Sequence, residues 1–139
     1  MFQLKHISEH DHPFWSTLDP HLSEAEFQRK VRDQRGYILY NDTTPIGILR
    51  YNLFWDRIPF LTFLYIEDAH QKRGFGKQAM LAWETEMQSL GYTMLMTSTQ
   101  VDEEAQHFYR KLGYQDKGSL FLDHTPFAQP QELFMIKVL

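Results

Sequence analysis

Apolar positions along the chain alternate between strand-length runs and helical spacing. FQLKHI reads as a first strand. In SEAEFQRKVRDQRG, Ser23 is followed three residues later by Glu26, a capping-box pattern. Phe27 and Val31 lie four apart on one face of that helix, and Gly36 stands where the residue past a helix end is expected. YILY, the turn NDTTP and IGILRYNLF predict strand, turn and strand, and WDRIP marks another break. FLTFLYI, Phe60 to Ile66, is a continuous apolar run that predicts a strand buried on both faces.

After HQKRGFGK, the residues Met80, Leu81, Trp83, Glu84, Met87 and Leu90 predict a helix with a broad apolar face, ended by Gly91. YTMLMTST predicts a second buried strand. DEEAQHFYRKL predicts a helix with acids in its first turn and bases in its last, capped by Asp102 and ended by Gly113. GSLFLD and ELFMIKVL close the pattern as two strands around HTPFAQPQ. Hairpins followed by strand–helix–strand–helix–strand predict an α/β or α+β sheet with helices on it.

The 139 residues fit one domain with one core, and 42% hydrophobic residues supply the material to fill it. A net charge of −4 lacks the basic surplus of a nucleic-acid binder, so no nucleic-acid partner is expected. There is no cysteine, which excludes disulfides, thiolate metal ligands and a cysteine nucleophile. His6, His10 and His12 lack a supporting carboxylate cluster, and no metal site is expected. The opening MFQLKHISEHDHPF does not read as a signal peptide. No stretch reaches the ~20 apolar residues of a membrane span. The expectation is a cytoplasmic protein without a membrane partner.

The stretch from His70 to Met87 carries the chemistry. A buried strand delivers the chain to a short loop, and a helix follows whose first amides have no intrahelical partner. Gly74 and Gly76 let the backbone approach a ligand or take positive φ, and Lys72, Arg73 and Lys77 add charge. An anion such as a phosphate or diphosphate suits this end of a helix. From spacing alone, a flexible and incidentally basic helix start fits equally well. The nucleotide P-loop fails because Gln78 follows Gly76-Lys77 and Gln71 occupies the first glycine position; the dinucleotide fingerprint fails at Ala79.

A third pattern fits. Gln71-Lys72-Arg73-Gly74-Phe75-Gly76, between a buried strand and a helix, resembles the acetyl-coenzyme A loop, Q/R-x-x-G-x-G/A, of the GNAT superfamily of N-acetyltransferases. Downstream, AQHFYRKLGY resembles the family's A-x-x-[LF]-Y-x-K-[LR]-G-[FY] helix through Ala105, Phe108, Tyr109, Lys111, Leu112, Gly113 and Tyr114. Residue-level likeness covers mainly 60–122, and the element order agrees over the whole chain.

The resemblance implies a single GNAT-like domain over 1–139. Its α/β (α+β) fold would be a mixed, mostly antiparallel central sheet flanked by helices and splayed between two parallel strands, Phe60–Ile66 and Tyr92–Thr97. It implies transfer of an acetyl group from acetyl-coenzyme A to a primary amine of a small molecule or protein, by direct attack. Leu64, Tyr65 and Ile66 would meet the pantetheine arm through their backbone, and a bulge there would free an amide for the thioester carbonyl. Gln71 and the amides of Lys72, Arg73, Gly74, Phe75, Gly76 and Lys77 would hold the diphosphate, and Tyr109 would be the acid toward the leaving sulfur. Two positions where family members carry a basic carboxylate hold Phe60 and Thr97, and Asp102 stands where an asparagine is frequent. Deprotonation through water, by Asp56 or by His107 stays open, as does an acyl-coenzyme A sensor without turnover. Tyr51, Phe54 and Trp55 could wall an acceptor site, with Thr97 to Gln100 at its end; core packing is the other reading. A homodimer through LFMIKVL is the further expectation, on the premise of an exposed edge strand.

Overall fold

The computed structural model describes residues 1–139. Seven strands form one sheet: β1 (Phe2–His6), β2 (Gly36–Asn41), β3 (Thr44–Phe54), β4 (Ile58–Ile66), β5 (Met94–Gln100), β6 (Gln115–Leu120) and β7 (Glu132–Val138). Four helices join them: α1 (His12–Leu18), α2 (Glu24–Asp33), α3 (Phe75–Ser89) and α4 (Ala105–Lys111). The strand order is β1-β2-β3-β4-β5-β7-β6. Only β4 and β5 run parallel; every other neighbouring pair is antiparallel. The expected mixed, mostly antiparallel sheet with one parallel pair is therefore present.

Side-chain alternation along the strands separates two cores. Leu39, Leu49 and Leu61 face α3, where Met80, Trp83 and Met87 are fully buried against them. Ile38 and Ile48 face the other way, against Trp15 of α1 and Phe27 of α2. In β4 the alternation shifts. Arg50 opposes Phe63 but Tyr51 opposes Leu61, so Thr62 is an extra residue, a β-bulge. Before the bulge Leu61 faces α3; after it Leu64 and Ile66 do, while Phe63 and Tyr65 pack on the α1/α2 side.

Several local expectations need correction. Ser23 caps α2, its hydroxyl accepting from the Glu26 amide at 3.1 Å. The helix ends on Gln34 in left-handed conformation (φ 57°), and Gly36 instead opens β2, where an added Cβ would lie 2.7 Å from Ile7 Cδ1. The short α1, started by Pro13, has no counterpart among the elements expected from the sequence. Asp102 does not cap α4; Glu104 stands at the cap without a side-chain bond. The strand read as GSLFLD begins earlier, at Gln115, and stops at Leu120. The run Phe60–Ile66 is not buried on both faces, because no helix covers Phe60 and Thr62 and the strand beyond them borders an opening. The strand containing LFMIKVL is not an edge: β7 lies between β5 and β6, and the edges are β1 and β6. Its backbone groups are paired on both sides, which removes the reason for expecting dimerisation through it. No helix is long and apolar enough to cross a membrane.

Candidate active site

β4 and β5 pair only at Phe60–Met96 and Leu61–Thr97, and then both strands run on apart. The Thr97 hydroxyl donates to the Leu61 carbonyl at 3.1 Å, tying the last pair before the gap. The bulge at Thr62 falls at the same point, and the twist it adds turns β4 away from β5. Beyond it lies a cavity of about 600 Å3. It is bordered by Thr62–Tyr65 of β4, Thr97–Gln100 of β5, Ala105 and Tyr109 of α4, and Glu132 of β7. Along this free side of β4, backbone N–H and C=O groups point into the gap with no strand to meet them.

The gap leads to the start of α3. The first helical backbone bond there runs from the Gln78 amide to the Gly74 carbonyl at 3.1 Å. The amides of Lys72, Arg73, Gly74, Phe75, Gly76 and Lys77 donate to no backbone carbonyl. Lys72 and Gly74 adopt positive φ (62° and 83°), which folds the loop around these amides. The groove they face is about 330 Å3 and is bordered by Ile66, Gln71, Lys72, Gly74, Gly76 and Phe108 among others. The neighbouring groove, toward the gap, is bordered by Leu64, Tyr65, Ile66, Gln71, Gly76, Ala105, Phe108 and Tyr109. Gln71 is held in place, its amide donating to the Ile66 carbonyl at 2.9 Å and to Asp68 Oδ1 at 3.2 Å. Arg73 does not border the groove; its guanidinium lies 5.1 Å over the Phe75 ring and beside His70. The Phe75 ring itself packs in the core against Phe2.

Unpaired amides, a helix N-terminus and Lys72 and Lys77 make this end complementary to an anion such as a diphosphate, and the long slot beside β4 suits an extended amide-bearing chain. At the end of that slot stands Tyr109, 9% exposed, packed edge-on against Phe108 and Tyr114. Burial pushes its phenol up to about 12, with the neighbouring Thr97 hydroxyl opposing the shift. The phenol is thus protonated at neutral pH and can donate a proton into the gap.

The remaining sequence candidates divide. Thr97 to Gln100 border the cavity. Phe54 and Trp55 border a separate aromatic groove with Phe60 and Phe134. Tyr51 is a core residue, stacked on Tyr37 and tilted against Trp83, and forms no part of an acceptor wall. Asp56 sits exposed in the β3–β4 turn beside Trp55, both with positive φ, and does not border the cavity. His107 lies on the exposed side of α4, 3.9 Å from Glu104, also outside the cavity. Sequence patterning did not single out Glu103 and Glu132, the two carboxylates that do border it. Glu103 accepts from the Gln100 backbone amide at 3.3 Å, whereas the half-buried Glu132 side chain has no hydrogen bond or ion pair. The available signal was the alternation of ELFMIKVL, which puts Glu132 on one face with Phe134.

The family model described as "Acetyltransferase (GNAT) family" matches residues 2–114. No curated protein matches the chain in sequence. Among solved structures, Ard1 from Thermoplasma volcanium superposes with a TM-score of 0.84 at 12% identity, covering 99% of this chain and 97% of that one. Arabidopsis thaliana Naa50, in complex with the bisubstrate analogue CoA-Ac-MVNAL, gives 0.80 at 11% identity, covering 99% of each chain. A GNAT family acetyltransferase from Elizabethkingia anophelis with acetyl-CoA bound gives 0.79 at 14% identity, covering 99% and 98%. At these identities the likeness is one of fold.

Proposed function

The chain belongs to the GNAT family of acetyltransferases, and from that premise we propose that it transfers the acetyl group of acetyl-coenzyme A to a primary amine by direct attack. The observation that carries this reading is the run of six unpaired amides, Lys72 to Lys77, opening onto a slot that ends at Tyr109. The donor's diphosphate lies on those amides, with Lys72 and Lys77 beside it. Its pantetheine follows the unpaired side of β4 along Leu64, Tyr65 and Ile66. The thioester then reaches the gap, where the bulge at Thr62 leaves backbone amides free to receive the carbonyl oxygen. The amine nitrogen forms a bond to the carbonyl carbon, the carbon–sulfur bond breaks, and Tyr109 gives its phenolic proton to the departing sulfur. The acetyl-CoA and CoA-analogue complexes of two structural neighbours support this donor.

A second reading has its own observation. Phe60 and Thr97 leave two familiar carboxylate positions without a base, which suits a sensor that binds an acyl-coenzyme A and does not turn it over.

Calorimetric titration with acetyl-coenzyme A tests the first reading. Micromolar binding by the native protein, lost in Gly74→Glu and kept in Tyr109→Phe, is the expected result. Coenzyme A release with an amine panel, slowed in Tyr109→Phe, separates enzyme from sensor. Absence of binding by the native protein overturns both.

A further inference from the structure

Strand alternation assigns the borders of the gap to opposite faces of the sheet. Tyr109 and Ala105 approach from the α3/α4 face, as does the amide loop. Leu133 and Met135 of β7 pack into that same core, so Glu132 and Phe134 project from the other face. On that other face α1 and α2 cover Ile38, Ile48 and Phe63. They leave a groove of about 420 Å3 bare, walled by Phe54, Phe60 and Phe134 with Trp55 at its rim. Phe54 and Phe60 stack with centroids 6.2 Å apart, and Phe60 meets Phe134 edge-on at 5.9 Å. Thr62, the bulge residue, borders both this groove and the gap, so the two adjoin at the bulge. Asn52 fixes it, donating to Thr62 Oγ1 at 3.1 Å.

In the gap, on the same face of β7 as Phe134, the Glu132 carboxylate has no hydrogen bond or ion pair, while the nearby Gln100 side-chain amide donates to Gln129 Oε1 at 2.8 Å. A half-buried carboxylate without a cation is complementary to a positively charged ligand. The three aromatic walls of the adjoining groove, of which Phe134 lies two residues from Glu132 on one face of β7, are complementary to an apolar one.

Resting on the acetyltransferase reading, we propose that the acceptor enters from the face opposite the amide loop as a primary ammonium on an apolar, aryl-sized body. Glu132 holds the ammonium, and Phe54, Phe60 and Phe134 hold the body. The ammonium gives one proton to the Glu132 carboxylate, and the freed lone pair forms the carbon–nitrogen bond. As the carbon–sulfur bond breaks, the Tyr109 proton passes to sulfur and the second nitrogen proton returns to the Tyr109 oxygen. Glu132 releases its proton to water at the groove mouth. A flexible polyamine would satisfy Glu132 and leave the aromatic walls unused. The shared chemistry belongs equally to a free arylalkylamine and to the N-terminus of a peptide beginning with an aromatic residue.

The test uses the protein saturated with coenzyme A, which carries no acetyl group to transfer. It is titrated with 2-phenylethylamine while tryptophan emission is followed. Trp55 is 76% exposed at the groove rim and Trp15 and Trp83 are buried, so a change reports the groove. The expected result is saturable binding that weakens about tenfold or more in Glu132→Gln and in Phe134→Ala, with spermidine binding more weakly than phenylethylamine. A peptide beginning with phenylalanine forms the second arm. If it competes and is lost in Glu132→Gln, the source is a peptide N-terminus; if only the free amine binds, the source is a small molecule. Unchanged affinity in both variants, or a preference for spermidine, overturns the proposal. Failure of the donor reading is distinct: the native protein would then not bind coenzyme A at all. Thermal unfolding of each variant identifies any loss that comes from misfolding, and Phe60→Leu then replaces the affected variant.

Discussion

Thr97 and Leu61 form the last rung between the two parallel strands and are joined twice, once by strand register and once by the Thr97 hydroxyl donating to the Leu61 carbonyl at 3.1 Å. The rung fixes where the sheet begins to open. Thr97→Val keeps the shape and removes the donor, leaving a buried carbonyl with one partner fewer. The fold should lose about 1–2 kcal/mol, read as a lower denaturant midpoint at unchanged slope. Donor affinity should fall as well, since the width of the gap depends on this pair. Unaltered affinity with lowered stability would place the rung outside the donor site.

The two loop glycines are required for different reasons. Gly74 has φ 83°, and a Cβ added there would meet nothing within 4 Å, so a side chain brings strain and no obstacle. Gly76 has no such φ, and its added Cβ would lie 3.5 Å from Phe108 Cζ, an ordinary contact that narrows the groove. Gly74→Ala should therefore cost about 1–2 kcal/mol of stability. Gly76→Ala should leave stability near native and weaken acetyl-coenzyme A binding. Unfolding curves and calorimetry on both variants decide; a reversed pattern would exchange the roles.

Tyr109 carries a pH prediction with a defined sign. Burial raises its phenol from the ordinary 10.0 to about 12. As an acid it stays protonated through pH 10, so turnover should show no loss with a midpoint near 10. In stability terms, the folded value lies above the unfolded one. Its contribution is complete below pH 10 and is lost as pH rises toward 12. Tyr109→Phe should flatten that part of the alkaline unfolding curve. A turnover midpoint near pH 10 that is retained in Lys72→Met and Lys77→Met would mean that Tyr109 is not the donating acid.

Lys30 predicts the opposite slope. Its amine is buried in α2 and donates to the Tyr51 carbonyl at 3.0 Å and to Asn52 Oδ1. Burial, with Arg50 and Arg35 nearby, lowers it from 10.5 to about 8. The unfolded chain then binds more protons between pH 8 and 10.5, and stability should rise with pH across that window. Lys30→Met should remove the rise. Denaturant midpoints at pH 7.5 and 9.5 for both proteins measure it, and equal slopes would show the amine to be solvated.

The donor side was legible in the sequence because it is local. Gln71 to Lys77 and Ala105 to Tyr114 are contiguous motifs, and the strand before each is a plain apolar run. The acceptor face was not. Asn52, Phe60, Thr62, Glu132 and Phe134 come from three strands that meet only because β7 inserts between β5 and β6. Periodicity cannot show that insertion, and it made β7 look like an edge. The bulge at Thr62 was equally hidden, because an extra residue in a continuous apolar run leaves no mark on its pattern. Tyr51 stayed open between acceptor wall and core for the same reason: a tyrosine on a strand reads alike whether its face is open or covered by α3.

Glu84 is the polar residue on the apolar face of α3, and its partners explain it. Its carboxylate accepts from Lys137 Nζ at 2.8 Å and from the Tyr114 hydroxyl at 2.9 Å, joining α3, β7 and the segment after α4. Tyr114 in turn packs edge-on against Tyr109 at 5.8 Å, so the network braces the helix that carries the proposed acid. Removing a partner from a wholly buried ion pair costs about 3–5 kcal/mol. Here the Lys137 side chain keeps 23% exposure against 8% for Glu84, so after the loss it can reach water. Glu84→Leu should therefore cost about 2–3 kcal/mol, short of the full range. The double variant Glu84→Leu, Lys137→Met should cost less than the sum of the single changes, because it leaves no orphaned charge. A double-mutant cycle in denaturant measures the difference. Strict additivity would mean that the pair holds nothing together.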